Sequence, residues 1–158
     1  MVFSALLRLR HIMRSVRLIH PILALLLLAV GAMADPPETG KWVEIDKSRQ
    51  RLRAYENGKL FMETRVSTGQ KGGPPRGSYV AGDKDLMHRS RLFHNAPMPY
   101  AVELSGDYFI HGFSSVPNVP ASHGCVRVPM TGDNPAKRFF NWVEPGTPIE
   151  VVGVWGGR

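Results

Sequence analysis

The chain contains one cysteine, Cys125. Two histidines stand where they could share its chemistry: His123, two positions before it, and His111, fourteen positions before it. A thiol becomes a good nucleophile when its proton is removed or its thiolate is stabilised, and a nearby imidazole does both. His111 ends the apolar run Tyr108-Phe109-Ile110, so a rigid strand would hold it. The Pro/Ser-rich loop of residues 113–121 would then fold back, restricted by Pro117 and Pro120, and bring Cys125 beside it. Gly112 and Gly124 carry no Cβ and would let the main chain approach a substrate closely. Backbone N–H groups around Gly124 and Cys125 are suitable donors to the oxyanion formed when a thiolate attacks a carbonyl. The His123 ring would donate to a substrate or brace the site, and sequence does not separate base from brace.

Each of these residues also has a plainer reading. Free cysteine is among the most buried residue types, so Cys125 could be an inert core thiol. His111 alone could be a satisfied histidine at a strand end. His111, His123 and Cys125 are all zinc-ligand types. The tight His-x-Cys spacing and the lack of an obvious fourth ligand nearby argue against a metal, and His88 and His94 read as solvated. The glycine-rich stretch of residues 72–77 lacks the Gly-Lys-Ser/Thr ending and the following helix of a phosphate cradle, and reads as a flexible loop, with lining of the groove as the alternative. Trp42, Trp142 and Trp155 read as core or edge packing.

The elements that must position these groups are mostly strands. From Lys41 onward Val43 and Ile45 alternate with Trp42, Glu44 and Asp46, and a second alternating run covers residues 50–55. Asn57-Gly58 between β-prone runs is a two-residue hairpin signal, with the returning strand at residues 59–67. Short β-like runs follow at residues 78–81, 90–93, 101–104 and 108–111, separated by Gly, Pro, Asn and Asp as in an all-β sandwich or barrel. One helix is expected near the C-terminus. Asp133 or Asn134 would cap it, Pro135 fits its first turn, and Ala136, Phe139, Phe140 and Val143 form its apolar face. Pro145-Gly146 ends it and residues 147–152 form a last strand. The fold class read from these signals is mainly β with one short helix.

The first 34 residues have a different character. Arg8, Arg10, Arg14 and Arg17 precede an apolar run at residues 22–30, and Ala32-Met33-Ala34 follows as a small-x-small pattern. This is the layout of a secretory signal peptide, with cleavage expected before Asp35 and an uncleaved anchor as the alternative. The apolar segment is shorter than the ~20 residues a spanning helix needs, so no membrane span is expected after cleavage. Residues 35–158 would then form one catalytic domain, with no room for a separate polymer-binding module. Removing four arginines and no acids lowers the formal net charge from +7 to +3. That balance suits an exported protein working near an anionic envelope polymer. No Lys/Arg stripe interleaved with aromatics points to nucleic acid.

The stretch Ser122-His123-Gly124-Cys125-Val126-Arg127, preceded by Ile110-His111-Gly112, resembles the signature of the L,D-transpeptidase catalytic domain. The likeness extends over most of the chain after residue 41. It includes Ile45-Asp46-Lys47-Ser48, Tyr55-Glu56-Asn57-Gly58, Val66-Ser67-Thr68-Gly69, Pro75-Arg76-Gly77 and Ala96-Pro97-Met98-Pro99-Tyr100. The resemblance implies the β-sandwich or barrel-like catalytic fold of that family and a periplasmic or cell-envelope location. It also implies a cysteine acyl transfer on peptidoglycan tetrapeptide stems. The thiolate attacks the carbonyl of the third residue, D-Ala leaves, and an amine takes the acyl group from the thioester to form a 3→3 cross-link. A lipoprotein or another amine is an alternative acceptor. Carried over by position, Cys125 is the nucleophile and His111 the base. Ser122, His123 and Gly124 shape the site, and Arg127 orients the site or a substrate carboxylate unless it is only a structural ion-pair partner. The chemistry calls for no metal or organic cofactor. Two other functions remain open at this point: a hydrolytic relative in which water is the acceptor, and a non-catalytic wall-binding module on the same fold.

Overall fold

A computed structural model describes residues 35–157; the expected signal segment lies outside them. Nine strands form two sheets. The strands β1 (Lys41–Asp46), β2 (Arg51–Glu56), β3 (Lys59–Arg65), β4 (Gly77–Val80) and β9 (Pro148–Val152) form the first, in the order β3-β2-β1-β9-β4. The strands β5 (Lys84–Arg89), β6 (Pro97–Ser105), β7 (Tyr108–Phe113) and β8 (Val126–Pro129) form the second, in sequence order. Helix α1 (Pro135–Trp142) packs on β6, β7 and β8. Both sheets and the helix feed one apolar core that includes Val43, Ile45, Leu52, Val102, Ile110, Val126, Phe139 and Val151. The expected mainly β architecture with one C-terminal helix is what the described residues adopt.

Local signals explain several elements. Asn57 (φ 51°) and Gly58 (φ 72°) both take positive φ, as the turn joining β2 and β3 requires. Asn134 caps α1 by accepting from the Lys137 N–H at 3.1 Å, and Ala136, Phe139 and Trp142 form its buried face. Other expectations fail for reasons of context. Residues 90–93 form a turn, and the neighbouring strand is Lys84–Arg89, an edge strand with little alternation in burial to betray it. The run Trp42, Glu44, Asp46 is buried like its apolar alternates, because β1 sits mid-sheet and is covered on both faces. Asp46 is satisfied there by the Ser48 N–H, the Ser48 hydroxyl and the Arg49 N–H.

The segment that positions the site is the β7–β8 pair. These strands are parallel, and parallel neighbours need a crossover of about a dozen residues or more. Residues 114–125 supply it without a helix, so the chain does double back as the proline-bearing loop suggests. The register places Ile110 beside Val126 and His111 beside Arg127. Side chains two apart on a strand share a face, and parallel partners do too. Ile110, Gly112, Val126 and Val128 therefore turn to the core, while His111, Phe113 and Arg127 share the opposite face.

Candidate functional site

Cys125 immediately precedes β8 and, with His111, Phe113, Ser122, His123, Gly124 and Arg127, lines a cavity of about 180 Å³. Strand register delivers the histidine and arginine to it, and the crossover loop delivers the cysteine. Cys125 is half-buried, not sealed in the core. His111 is buried, at 5% exposure. Its Nδ1 lies 3.0 Å from the Gly112 carbonyl, and a carbonyl can only accept, so Nδ1 carries the hydrogen. The lone pair of the neutral ring therefore sits on Nε2. Burial lowers the His111 pKa to about 4, despite the Gly112 contact, and the nearby Arg127 and His88 charges push in the same direction. Burial raises the Cys125 pKa, partly offset by the Phe109 main-chain contact and the Arg127 charge. Both shifts favour a neutral thiol and a neutral imidazole at rest.

The expected thiol–imidazole hydrogen bond is not made. The Cys125 Sγ donates instead to the Asp107 carbonyl at 3.6 Å, and among the described residues no hydrogen bond joins it to His111. The sulfur and the ring share a cavity wall, and the thiol proton points elsewhere.

Arg127 donates to the Ala121 carbonyl at 3.0 Å and lies over the Phe113 ring, 4.1 Å from its centroid. Among the described residues it has no carboxylate partner. The ion-pair reading of Arg127 is therefore not what the fold uses, and its charge faces the cavity. His123 is exposed and stacks on Phe93, centroids 4.4 Å apart, as part of the cavity wall. Ser122 holds the turn together: its hydroxyl donates to the Cys125 carbonyl at 2.5 Å and accepts the Gly124 N–H at 3.1 Å. That second bond occupies the Gly124 N–H.

The glycines are required by the protein itself more than by a ligand. A Cβ on Gly112 would lie 2.8 Å from the Met130 side chain, and one on Gly124 would lie 2.9 Å from the Tyr108 ring. Behind Gly124, a Cβ on Gly69 or Gly73 would approach the Gly124 Cα to 2.9 or 3.0 Å. The stretch read as a flexible loop is thus a support. Lys47 Nζ donates to the Gly72 and Pro74 carbonyls at 2.5 and 2.7 Å. The buried Gln50 side chain donates to the Lys47 carbonyl and the Thr68 hydroxyl and accepts the Thr68 N–H at 2.8 Å. Thr68 in turn accepts the Ala121 and Ser122 N–H groups. Sequence reading also missed Phe93, Pro97 and Met98 in the cavity wall, since nothing in sequence order ties them to Cys125. Among the described residues no cluster of three or more His, Cys, Asp or Glu is arranged to hold a metal, and no helix is long and apolar enough to cross a membrane.

The family model of the L,D-transpeptidase catalytic domain (YkuD) matches residues 40–151, and the chain belongs to that family. An L,D-transpeptidase from Xylanimonas cellulosilytica is similar at 32% identity and a TM-score of 0.63, over 77% of this chain and 65% of that one. An L,D-transpeptidase solved in complex with imipenem is similar at 25% identity and a TM-score of 0.63, over 72% of this chain and 59% of that one. One from Stackebrandtia nassauensis shares the fold, with a TM-score of 0.68 at 24% identity, over 81% of this chain and 64% of that one. The chain thus spans less than two thirds of the length of these structures. No curated protein sequence matches it significantly.

Proposed function

We propose that this chain is a cysteine-dependent L,D-transpeptidase acting on peptidoglycan stem peptides in the cell envelope, reached through a signal peptide at residues 1–34. One observation carries the reading: Cys125, the unprotonated His111 and the unpaired cation Arg127 line a single cavity. Arg127 suits the carboxylate of a tetrapeptide stem. With the stem in place, attack requires the S–H to turn from the Asp107 carbonyl toward the His111 Nε2 lone pair. Catalytic hydrogen bonds often tighten only in the substrate complex, so the resting geometry is compatible with this step.

His111 takes the proton as sulfur attacks the stem carbonyl. The C–N bond to D-Ala breaks and the imidazolium protonates the departing amine, leaving a thioester on Cys125 and a neutral His111. An acceptor amine then displaces the sulfur to give the cross-link. The oxyanion in both steps draws on main-chain N–H groups at His123 and Cys125, because Ser122 occupies the one at Gly124. The similarity to an L,D-transpeptidase solved in complex with imipenem supports the same class of activity here.

Incubating residues 35–158 with purified tetrapeptide muropeptides tests the reading. Free D-Ala and cross-linked dimers are expected. Tripeptide without dimer would mean that water is the acceptor, and the absence of both D-Ala release and dimer would contradict an acyl-transfer function.

A further inference from the structure

The Arg127 guanidinium is held at two points, over the Phe113 ring and by the bond from its Nη1 to the Ala121 carbonyl. A guanidinium carries its N–H donors in one plane, so fixing that plane fixes where the remaining donors point. The Ala121 carbonyl is thus half of what aims the cation, and Ser67 holds Ala121. Ser67 is fully buried, at 0% exposure, and does not line the cavity. Its hydroxyl clamps both sides of Pro120. It donates to the Val119 carbonyl at 2.8 Å and accepts the Ala121 N–H at 3.0 Å, an N–H shared with the Thr68 carbonyl. The Ser67 main chain also pairs with Arg127 itself, each N–H donating to the other's carbonyl at 3.0 Å. Ser67 therefore reaches Arg127 by two routes. Its backbone fixes where the arginine leaves β8, and its hydroxyl fixes the carbonyl that the guanidinium meets.

We infer that Ser67 is a positioning residue, which makes the site select donors ending in a free carboxylate by holding Ala121 where it orients Arg127. The inference rests on the proposed acyl transfer and on the Arg127–carboxylate contact within it, and adds the group that aims the cation. Recognition of a carboxylate by arginine uses two parallel N–H···O bonds in one plane. A planar fork loses such a pair when it tilts, where a point charge would not.

Ser67→Ala leaves the main-chain pair with Arg127 in place and removes the hydroxyl alone. The Val119 carbonyl then loses its Ser67 donor, and the Ala121 N–H keeps only the Thr68 carbonyl. The Ala121 peptide is free to turn, and the guanidinium turns with it. Ser67 lies outside the cavity wall, so its effect on donor choice passes through the segment it holds.

The test compares two donors, a tetrapeptide stem and the same stem with its terminal carboxylate converted to a carboxamide. The readout is kcat/KM for release of D-Ala or D-alaninamide. The two leaving groups differ in reactivity, but that difference is common to all variants and cancels when their acid-to-amide ratios are compared. The unmodified protein should favour the acid at least about tenfold. Ser67→Ala should lower that preference at least about fivefold, mostly through a higher KM for the acid, with the amide rate within twofold of the unmodified protein. A merely structural defect would slow both donors alike and leave the ratio where it was. Ser67→Cys keeps the shape with weaker hydrogen bonds and should fall between the two, and it decides the matter if the alanine variant does not fold. An unchanged ratio in the variant assayed would overturn the assignment. No preference for the acid in the unmodified protein would remove the carboxylate contact at Arg127, and the inference with it, while acyl transfer stands. Release of neither product by the unmodified protein would instead remove the acyl-transfer reading itself.

Discussion

Two segments meet at the candidate site and are built in opposite ways. The stretch of residues 66–69 is buried throughout and tied to residues far away in sequence: Gln50 grips Thr68, Lys47 grips the carbonyls just beyond it, and Ser67 pairs with Arg127. The stretch of residues 91–97 is exposed throughout, and its hydrogen bonds are local, Ser90 to Ala96 and Phe93 to Ser90. One stands behind the cysteine turn and fixes it. The other forms the wall in front, where Leu92 and Phe93 present apolar surface to solvent. The fold places its over-determined backbone where a nucleophile must be held and its adaptable surface where a substrate must be met.

This contrast breaks most easily from behind. Gly69→Ala drives a Cβ into the Gly124 Cα and the Gly73 carbonyl, both main-chain atoms that cannot swing aside. It should cost about 3 kcal/mol of stability by overpacking, and about a hundredfold in D-Ala release because the turn shifts. Thermal melts and the muropeptide assay read the two effects. Gln50→Leu leaves the buried Thr68 N–H without its acceptor. A loss of about 2 kcal/mol is expected in denaturant titrations, with about a tenfold loss of activity from the slackened support.

A third, smaller effect concerns the buried base. The unfolded chain protonates His111 near its ordinary value, while the folded chain resists protonation until about pH 4. The unfolded state binds more protons in that window, so stability rises with pH across it and is lost as pH falls. Between pH 6.5 and 5 the loss should be about 1.5 kcal/mol, and His111→Gln should remove that slope. On the front wall, Phe93→Ala should change stability by no more than about 0.5 kcal/mol. It should shift KM a few-fold through the lost stacking on His123 while kcat stays put. A large stability effect at Phe93, or none at Gly69, would invert the comparison.

The same contrast explains what could be read in advance. The hairpin at Asn57-Gly58, the helix capped at Asn134 and the return of the chain between His111 and Cys125 rest on local signals, and they fold as those signals indicate. The motif residues His111, Ser122, His123, Gly124, Cys125 and Arg127 do converge on one cavity. Composition misjudged the glycine loop and the segment at residues 90–93. The first is held by Lys47, from the turn between β1 and β2, whose ammonium donates to the Gly72 and Pro74 carbonyls. The second has strand-like residues but turns through His94 and Asn95, both at positive φ. Direction was also invisible: nothing in the order of residues shows that the thiol hydrogen rests on the Asp107 carbonyl, or that Gly124 spends its N–H on Ser122.

The central claim is that the Cys125 thiol passes its proton to His111 and attacks a stem carbonyl. Time-resolved intact-mass measurement on the protein and on His111→Gln, each mixed with a tetrapeptide stem, tests it most directly. The account predicts a thioester on Cys125 with loss of D-Ala in the first, and formation at least about a hundredfold slower in the second. No adduct in the first, or equal rates in both, would contradict it.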